Sequence, residues 1–143
     1  LIMVGIPLGY TFGRIGNFIN GELYGRVTES WIGMYFPHAR DGLLRHPSQL
    51  YEALFEGLVS FAIVWSFRKK APFQGFLSGL FLFTYGVARF FVEFFRQPDE
   101  HLGFILFNYF SMGQLLSFGM MLGACLVWYL GYTQHKKSGE IAQ

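Results

Sequence analysis

Charge is scarce in this chain, and so is cysteine. Asp, Glu, Lys and Arg make up only 14% of the 143 residues, against roughly 25% in soluble domains. Hydrophobic residues account for 52% and aromatic residues for 20%. This balance excludes an ordinary soluble domain and predicts an integral membrane protein. The single cysteine excludes an internal disulfide and any metal site built from paired cysteines.

Three apolar stretches are long enough for membrane helices, which we predict over about residues 50–67, 73–95 and 111–132. Residues 1–12 are also apolar, but twelve helical residues rise only about 18 Å, against a hydrocarbon core of roughly 30 Å. They carry neither a starting methionine nor the basic region of a signal peptide. We therefore expect them to be the end of a membrane helix, and the chain to be a fragment. The predicted fold is an all-α integral membrane protein, a multi-span helical bundle.

A polar, glycine-rich stretch, residues 13–26, interrupts the apolar sequence and is called here the signature segment. It contains two arginines, two asparagines, a glutamate and four glycines. Polar groups between apolar runs are costly to bury unless they bind one another or a ligand. Glycine lets the backbone approach a ligand, and the planar fork of arginine suits phosphate. We predict a polar extramembrane loop that forms a binding site, although residue types alone fit an ordinary loop equally well.

The signature segment is followed by an interfacial region and then by the start of a helix. Residues 27–46 are rich in aromatic and charged residues and lack a long apolar run, which predicts an extramembrane loop or short hairpin at the membrane interface. Pro47 and Ser48 suit the first turn of a helix. Glu52 and Glu56 lie one turn apart near its amino terminus, where we interpret them as charges that favour the macrodipole.

The lysines predict the orientation of the spans. All four lie in two clusters, 69–70 and 136–137, separated by two predicted spans. By the positive-inside rule that side is cytoplasmic, and residues 135–143 form a cytoplasmic tail. Residues 14–52 and the turn at 96–100 then face outward, which in a bacterial inner membrane is the periplasm.

Arginine is the strongly basic residue everywhere outside the lysine clusters. Tyr85, Arg89 and Glu93 lie four apart, so they share one face of the second full span. Ionised residues within a span should face the bundle interior and form pairs. On this pattern, a structural Arg89–Glu93 pair and a catalytic role fit equally well. We interpret Arg96, with Arg40 and Arg45, as a residue that contacts lipid headgroups.

Three sequence blocks resemble the bacterial phosphatidylglycerol:prolipoprotein diacylglyceryl transferases: residues 13–22 with Gly25, residues 46–52 and residues 85–99. The resemblance extends over essentially the whole chain, but only over the carboxy-terminal part of that family. The family's amino-terminal helices, which include a catalytically important histidine, have no counterpart here. We therefore expect the fragment alone to be inactive.

The resemblance implies transfer of the diacylglyceryl group of phosphatidylglycerol to a lipobox cysteine of a secreted prolipoprotein. It implies no metal and no cofactor, and the expected partners are these two substrates and membrane lipid, not nucleic acid. The implied catalytic residues are Arg14 and Arg89, which bind the phosphate, and Glu93, which fixes Arg89. The implied substrate-binding residues are Arg14, Asn17, Asn20, Glu22, Gly25, His46, Tyr85 and Arg89.

The assignment of His46 leaves an alternative, and so does the function. His46 is either a general base or a hydrogen bonder at the helix start. Cys125 is a small packing residue rather than a nucleophile. A transporter or channel for anions or lipids would also place arginines in membrane helices, but we find no internal repeat of the kind such proteins show. A structural subunit would leave the signature segment unexplained.

Overall fold

The structure is a computed structural model that describes residues 2–97, 104–106 and 110–141. This part of the chain is mainly helical, which confirms the predicted class. Its main helices are α1 (Ile2–Asn20), α2 (Ser48–Phe67), α3 (Phe76–Val92) and α4 (Met112–Ile141). Among the described residues, α2 and α4 are long and apolar enough to cross a membrane, and α3 is a shorter apolar helix.

The predicted spans correspond to α2, α3 and α4, but their ends differ. Helix α3 is shorter than the predicted 73–95, because the chain turns at Gly75, which has φ 89°, and leaves the helix after Val92. Helix α4 continues beyond the predicted residue 132 as far as Ile141. Its two lysines, Lys136 and Lys137, lie in this added part of the helix.

The signature segment is partly helical, which corrects the prediction of a loop beginning at Gly13. Helix α1 runs without a break through residues 13–20, and the loop begins only at Gly21, which has φ 71°. Glycine costs about 1 kcal/mol in a helix relative to alanine. From this helical stretch Arg14 forms an ion pair with Glu52 of α2 at 3.0 Å.

Helix α2 widens where α1 packs against it. Its residues Glu52–Val59 form a π-helix, in which hydrogen bonds join residues five apart. A side chain at Gly57 would overlap Thr11 of α1, so the two backbones approach closely there. The Thr11 hydroxyl donates to the carbonyl of Pro7 at 2.9 Å. Wide helical turns of this kind are frequent at functional sites.

Helices α3 and α4 pack through small residues and one tryptophan. A Cβ atom at Gly79 would lie 2.5 Å from Nε1 of Trp128, and one at Gly86 would lie 3.1 Å from the Ser117 carbonyl. Trp128 Nε1 donates to the carbonyl of Phe76 at 3.0 Å. Small residues at these points let the helices come together without lipid between them.

Between α1 and α2 the chain forms a short hairpin, one of the two predicted forms, and its place at the membrane interface stays a prediction. Strand β1 (Met34–Tyr35) pairs antiparallel with β2 (Leu44–Arg45), with a 3₁₀ turn at Pro37–Ala39 between them. Isolated bridges join Gly25 to Arg96 and Val27 to Arg45. The signature segment, the hairpin and the end of α3 therefore meet at one end of the bundle.

A second, irregular strand pair precedes α4. Strand β3 (Phe104–Leu106) runs antiparallel to β4 (Phe110–Ser111). Of the turn predicted at residues 96–100, the part at 98–100 lies outside the described residues.

Candidate active site

Helices α1, α2 and α3, with the residues that follow α3, bring together six charged side chains, called here the ion cluster. Its members are Arg14, Arg89, Arg96, Glu52, Glu56 and Glu93. The carboxylates are buried, whereas the arginine side chains remain 15–21% exposed. The formal charges of the six cancel. The cluster therefore has a buried acidic floor and an accessible basic side.

Glu52 is the centre of the ion cluster. Its Oε2 atom lies 3.0 Å from Arg14 Nε and 3.4 Å from Arg89 Nη1. Its Oε1 atom lies 3.8 Å from Arg96 Nε. The Tyr10 hydroxyl of α1 lies 3.1 Å from Oε2. One buried carboxylate thus fixes arginines from two helices and a loop.

Tyr10 links the two carboxylates of α2. Its hydroxyl lies between Glu52 and Glu56 and forms a short hydrogen bond with Glu56. Arg89 Nη1 lies 3.6 Å from Glu56 Oε1, which balances the second carboxylate. The Tyr10 ring also meets the Tyr85 ring edge-on, with 5.5 Å between centroids. Tyr85 therefore borders the ion cluster through Tyr10.

Glu93, just beyond the end of α3, contacts two of the three arginines of the cluster. Its Oε2 atom lies 3.5 Å from Arg89 Nε and 3.6 Å from Arg96 Nη1, so the Arg89–Glu93 pair expected from the four-residue spacing is present. The Ser111 hydroxyl donates to Glu93 Oε1 at 3.0 Å. A Cβ atom at Gly113 would lie 2.6 Å from the Glu93 carboxyl carbon, so the first turn of α4 packs directly on this group.

The polar residues predicted in the signature segment lie beyond the ion cluster. Asn17 is half-buried near the end of α1, whereas Asn20 and Glu22 are exposed. Their backbones stabilise the turn, because the Glu22 amide donates to the Asn17 carbonyl at 2.9 Å and the Glu22 carbonyl accepts from Gln49 Nε2 at 2.6 Å. Of the signature side chains, that of Arg14 joins the ion cluster, and that of Arg26 contacts the backbone of its members Glu93 and Arg96.

The glycine at position 25 has a structural role. Its amide donates to the His46 carbonyl at 2.8 Å, and a Cβ atom there would lie 2.7 Å from the same oxygen. The next amide, that of Arg26, donates to the Phe95 carbonyl at 2.9 Å. The close approach expected at Gly25 is therefore to neighbouring backbone.

His46 does not join the ion cluster. Its Nδ1 atom lies 3.1 Å from the Tyr51 hydroxyl, and its ring packs edge-on against Phe95 with 5.1 Å between centroids. Burial lowers the pKa of the His46 imidazole, which favours its neutral form. These contacts match the hydrogen-bonding alternative for His46 at the helix start.

Sequence reasoning missed several members of this site. We interpreted Glu52 and Glu56 as helix-start charges and Arg96 as a headgroup contact, and we did not consider Tyr10. Two carboxylates four apart at the start of a predicted span were the available signal, because buried charges need partners. Arg26 also contributes, since its Nε atom donates to the Arg96 carbonyl at 2.7 Å and its Nη2 atom to the Glu93 carbonyl at 3.2 Å.

Comparison with known proteins gives one consistent result. A family model described as prolipoprotein diacylglyceryl transferase matches residues 1–130. A phosphatidylglycerol–prolipoprotein diacylglyceryl transferase of Chlorobaculum tepidum is 65% identical over 130 residues, covering 90% of this chain and 45% of that protein. Proteins of the same name from Ehrlichia ruminantium (strain Welgevonden) and Wolinella succinogenes are 51% and 47% identical, covering 89% and 99% of this chain. They are covered over 51% and 49% of their own lengths, so the chain spans about half the length of the curated relatives it matches.

Proposed function

The chain belongs to the prolipoprotein diacylglyceryl transferase family, and we propose that the protein containing it transfers the diacylglyceryl group of phosphatidylglycerol to a lipobox cysteine of a prolipoprotein. The observation that carries this proposal is the convergence of Arg14, Arg89 and Arg96 on buried carboxylates. The family is one of multi-span membrane enzymes, which removes the reason to prefer an anion or lipid transporter.

In this reaction the cysteine sulfur attacks a carbon of the glycerol that carries the acyl chains. A carbon–sulfur bond forms, the carbon–oxygen bond to phosphate breaks, and its electron pair leaves on glycerol phosphate. Arginine stabilises this charge best, because its planar fork donates two hydrogen bonds to phosphate and keeps its proton. Arg14 is the most exposed arginine of the cluster, at 21%, and is the one we assign to the leaving phosphate.

The carboxylates keep the arginines in place before the substrate arrives. Glu52 contacts all three arginines, and Glu93 contacts Arg89 and Arg96. Donors that are fixed in advance cost no reorganisation when charge develops in the transition state. The thiol proton must leave to a base outside the cluster, since these carboxylates are buried and paired. Asn17, Asn20 and Glu22 remain proposed contacts of the polar headgroup, and Tyr85 a positioning residue.

A transfer assay with a variant that lacks Cys125 tests the enzyme proposal. The reacting sulfur belongs to the prolipoprotein, and Cys125 is exposed on α4 away from the ion cluster. We expect full-length Cys125→Ala to retain most of its activity with phosphatidylglycerol and a lipobox peptide, measured as peptide lipidation and glycerol phosphate release. A peptide whose cysteine is replaced by serine is the negative control. Loss of activity in Cys125→Ala at normal expression would contradict the proposed nucleophile.

We further propose that the ion cluster lies toward the periplasmic face. In a Cys125→Ala background, a cysteine at exposed Leu43 of the hairpin should react in intact cells with a membrane-impermeant maleimide, and one at exposed Ser138 should not. The reason is that both lysine clusters mark the cytoplasmic side. Labelling after cell lysis controls for accessibility of each thiol. Reaction of Ser138→Cys but not Leu43→Cys in intact cells would reverse the orientation.

A further inference from the structure

Arg14 is held differently from the other two arginines of the ion cluster. In the described part of the chain it pairs with one carboxylate, that of Glu52, which lies 3.0 Å from its Nε atom. Arg89 pairs with three carboxylates and Arg96 with two. A long, flexible side chain can turn about a single contact. Arg14 therefore needs a second support if it is to present its donors in one direction.

The second support is the aromatic ring of Tyr10. The Arg14 guanidinium carbon lies 4.8 Å from the centre of that ring, within the range of a cation–π contact. The two residues are four apart on α1, and helical side chains lean toward the amino terminus, so Arg14 reaches back over the ring. A ring contacts the face of the guanidinium and takes none of its N–H donors, whereas a second carboxylate would occupy some of them.

The ring of Tyr10 is itself fixed by two other helices. Its hydroxyl lies 3.1 Å from Glu52 Oε2 and forms a short hydrogen bond with Glu56, both of α2. The Tyr85 ring of α3 meets it edge-on, with 5.5 Å between centroids. Tyr10 therefore cannot turn away from Arg14 without losing contacts to both helices.

We propose that Tyr10 is a positioning residue of the transfer reaction, whose ring holds the guanidinium of Arg14 in the orientation that binds the leaving phosphate. Tyr10 acts through Arg14 and does not itself touch the reacting atoms. Arg14 meets Glu52 through Nε, so the end-on pair Nη1 and Nη2 is the fork that faces the phosphate. The inference rests on the proposed transfer of a diacylglyceryl group, in which Arg14 receives that phosphate.

Steady-state transfer by full-length Tyr10 variants tests this role. Tyr10→Leu removes the ring, and kcat for lipidation of a lipobox peptide should fall about tenfold, the scale of a partly desolvated cation–π contact. KM for phosphatidylglycerol should stay nearly unchanged, because orientation matters most as charge develops on the leaving oxygen. Tyr10→Phe keeps the ring and should retain most of the rate. The matched control is Tyr129→Leu, at an exposed position of α4, which should transfer like the wild type.

A double-mutant cycle separates positioning from a general structural effect. If Tyr10 acts through Arg14, Tyr10→Leu should lower kcat no further in an Arg14→Gln background. Losses that multiply in the double variant would show that the two residues act independently, and would overturn the proposal. Tyr10→Met fills the space with a flexible chain that has no ring, and it replaces Tyr10→Leu in the cycle if the latter melts near the assay temperature.

The order of the Arg14 side chain can also be measured without the reaction. In full-length protein made with isotope-labelled arginine, the Nε–H nuclear magnetic resonance signal of Arg14 is identified by its absence in Arg14→Lys. Its order parameter should fall in Tyr10→Leu and stay near the wild-type value in Tyr10→Phe. An unchanged order parameter in Tyr10→Leu would overturn the role of the ring, whether or not the protein transfers diacylglyceryl.

Two activity results would overturn the proposal and leave the proposed function intact. One is full transfer by a folded Tyr10→Leu in an assay where the wild type transfers. The other is a Tyr10→Phe variant as impaired as Tyr10→Leu, which would make the hydroxyl and not the ring the group that transfer requires.

Discussion

Replacing Arg14 with Gln in the full-length protein is expected to lower the rate of diacylglyceryl transfer by about 10²-fold or more, the effect of removing one preorganised donor. Arg14 is the most exposed arginine of the ion cluster and contacts it through Glu52. Its loss should therefore remove a phosphate donor while the rest of the cluster stays paired. The measurement is kcat/KM for lipidation of a lipobox peptide, with the melting temperature recorded for each variant.

Two further substitutions make the Arg14 experiment specific. Arg14→Lys keeps the charge but loses the two-pronged geometry, so we expect activity between those of wild type and Arg14→Gln. Arg40→Gln removes an arginine from an exposed site on the hairpin and should remain fully active. Near wild-type transfer by a folded Arg14→Gln would exclude this side chain as the phosphate donor.

Replacing Glu52 with Gln is expected to destabilise the protein and to abolish transfer. Glu52 is fully buried and shared by Arg14, Arg89 and Arg96, so a neutral amide leaves charge uncompensated inside the bundle. Breaking a buried ion pair typically costs about 3–5 kcal/mol. The expected result is a fall in melting temperature and in membrane accumulation, with no transfer by the protein that remains.

The matched control for Glu52 is Glu29→Gln, the same chemical change at an exposed position of the interfacial loop. It should leave both melting temperature and transfer unchanged. Arg89→Gln should resemble Glu52→Gln rather than Arg14→Gln, because Arg89 contacts all three carboxylates of the cluster. A stable and active Glu52→Gln would show that the arginines do not need this carboxylate.

The features that the sequence predicted well are those determined within a single segment of the chain. Apolar length located α2, α3 and α4, and the four-residue spacing predicted the Arg89–Glu93 pair. Aromatic and charged residues without a long apolar run predicted the hairpin that contains β1 and β2.

The features that the sequence did not predict are those determined by contacts between distant segments. Arg14 and Glu52 are 38 positions apart, and only the packing of α1 on α2 brings them to 3.0 Å. The same packing keeps residues 13–20 helical where their glycines predicted a loop. Local propensity is a weak prior that tertiary contacts override. Gly25 shows the same limit, since its neighbours come from the start of α2 and the end of α3.

The zero net formal charge of the ion cluster has a consequence for product release in the proposed reaction. Three arginines and three glutamates give a site with no formal charge when it is empty. In the proposed reaction a phosphatidylglycerol phosphodiester would bring one negative charge, whereas the departing glycerol phosphate would be a monoester, whose second ionisation near pH 6 gives it almost two charges at neutral pH. The product would therefore meet arginines whose charge is already matched by three carboxylates. A purely basic pocket would retain that dianion most tightly, whereas this balanced one favours its release and frees the arginines for the next lipid.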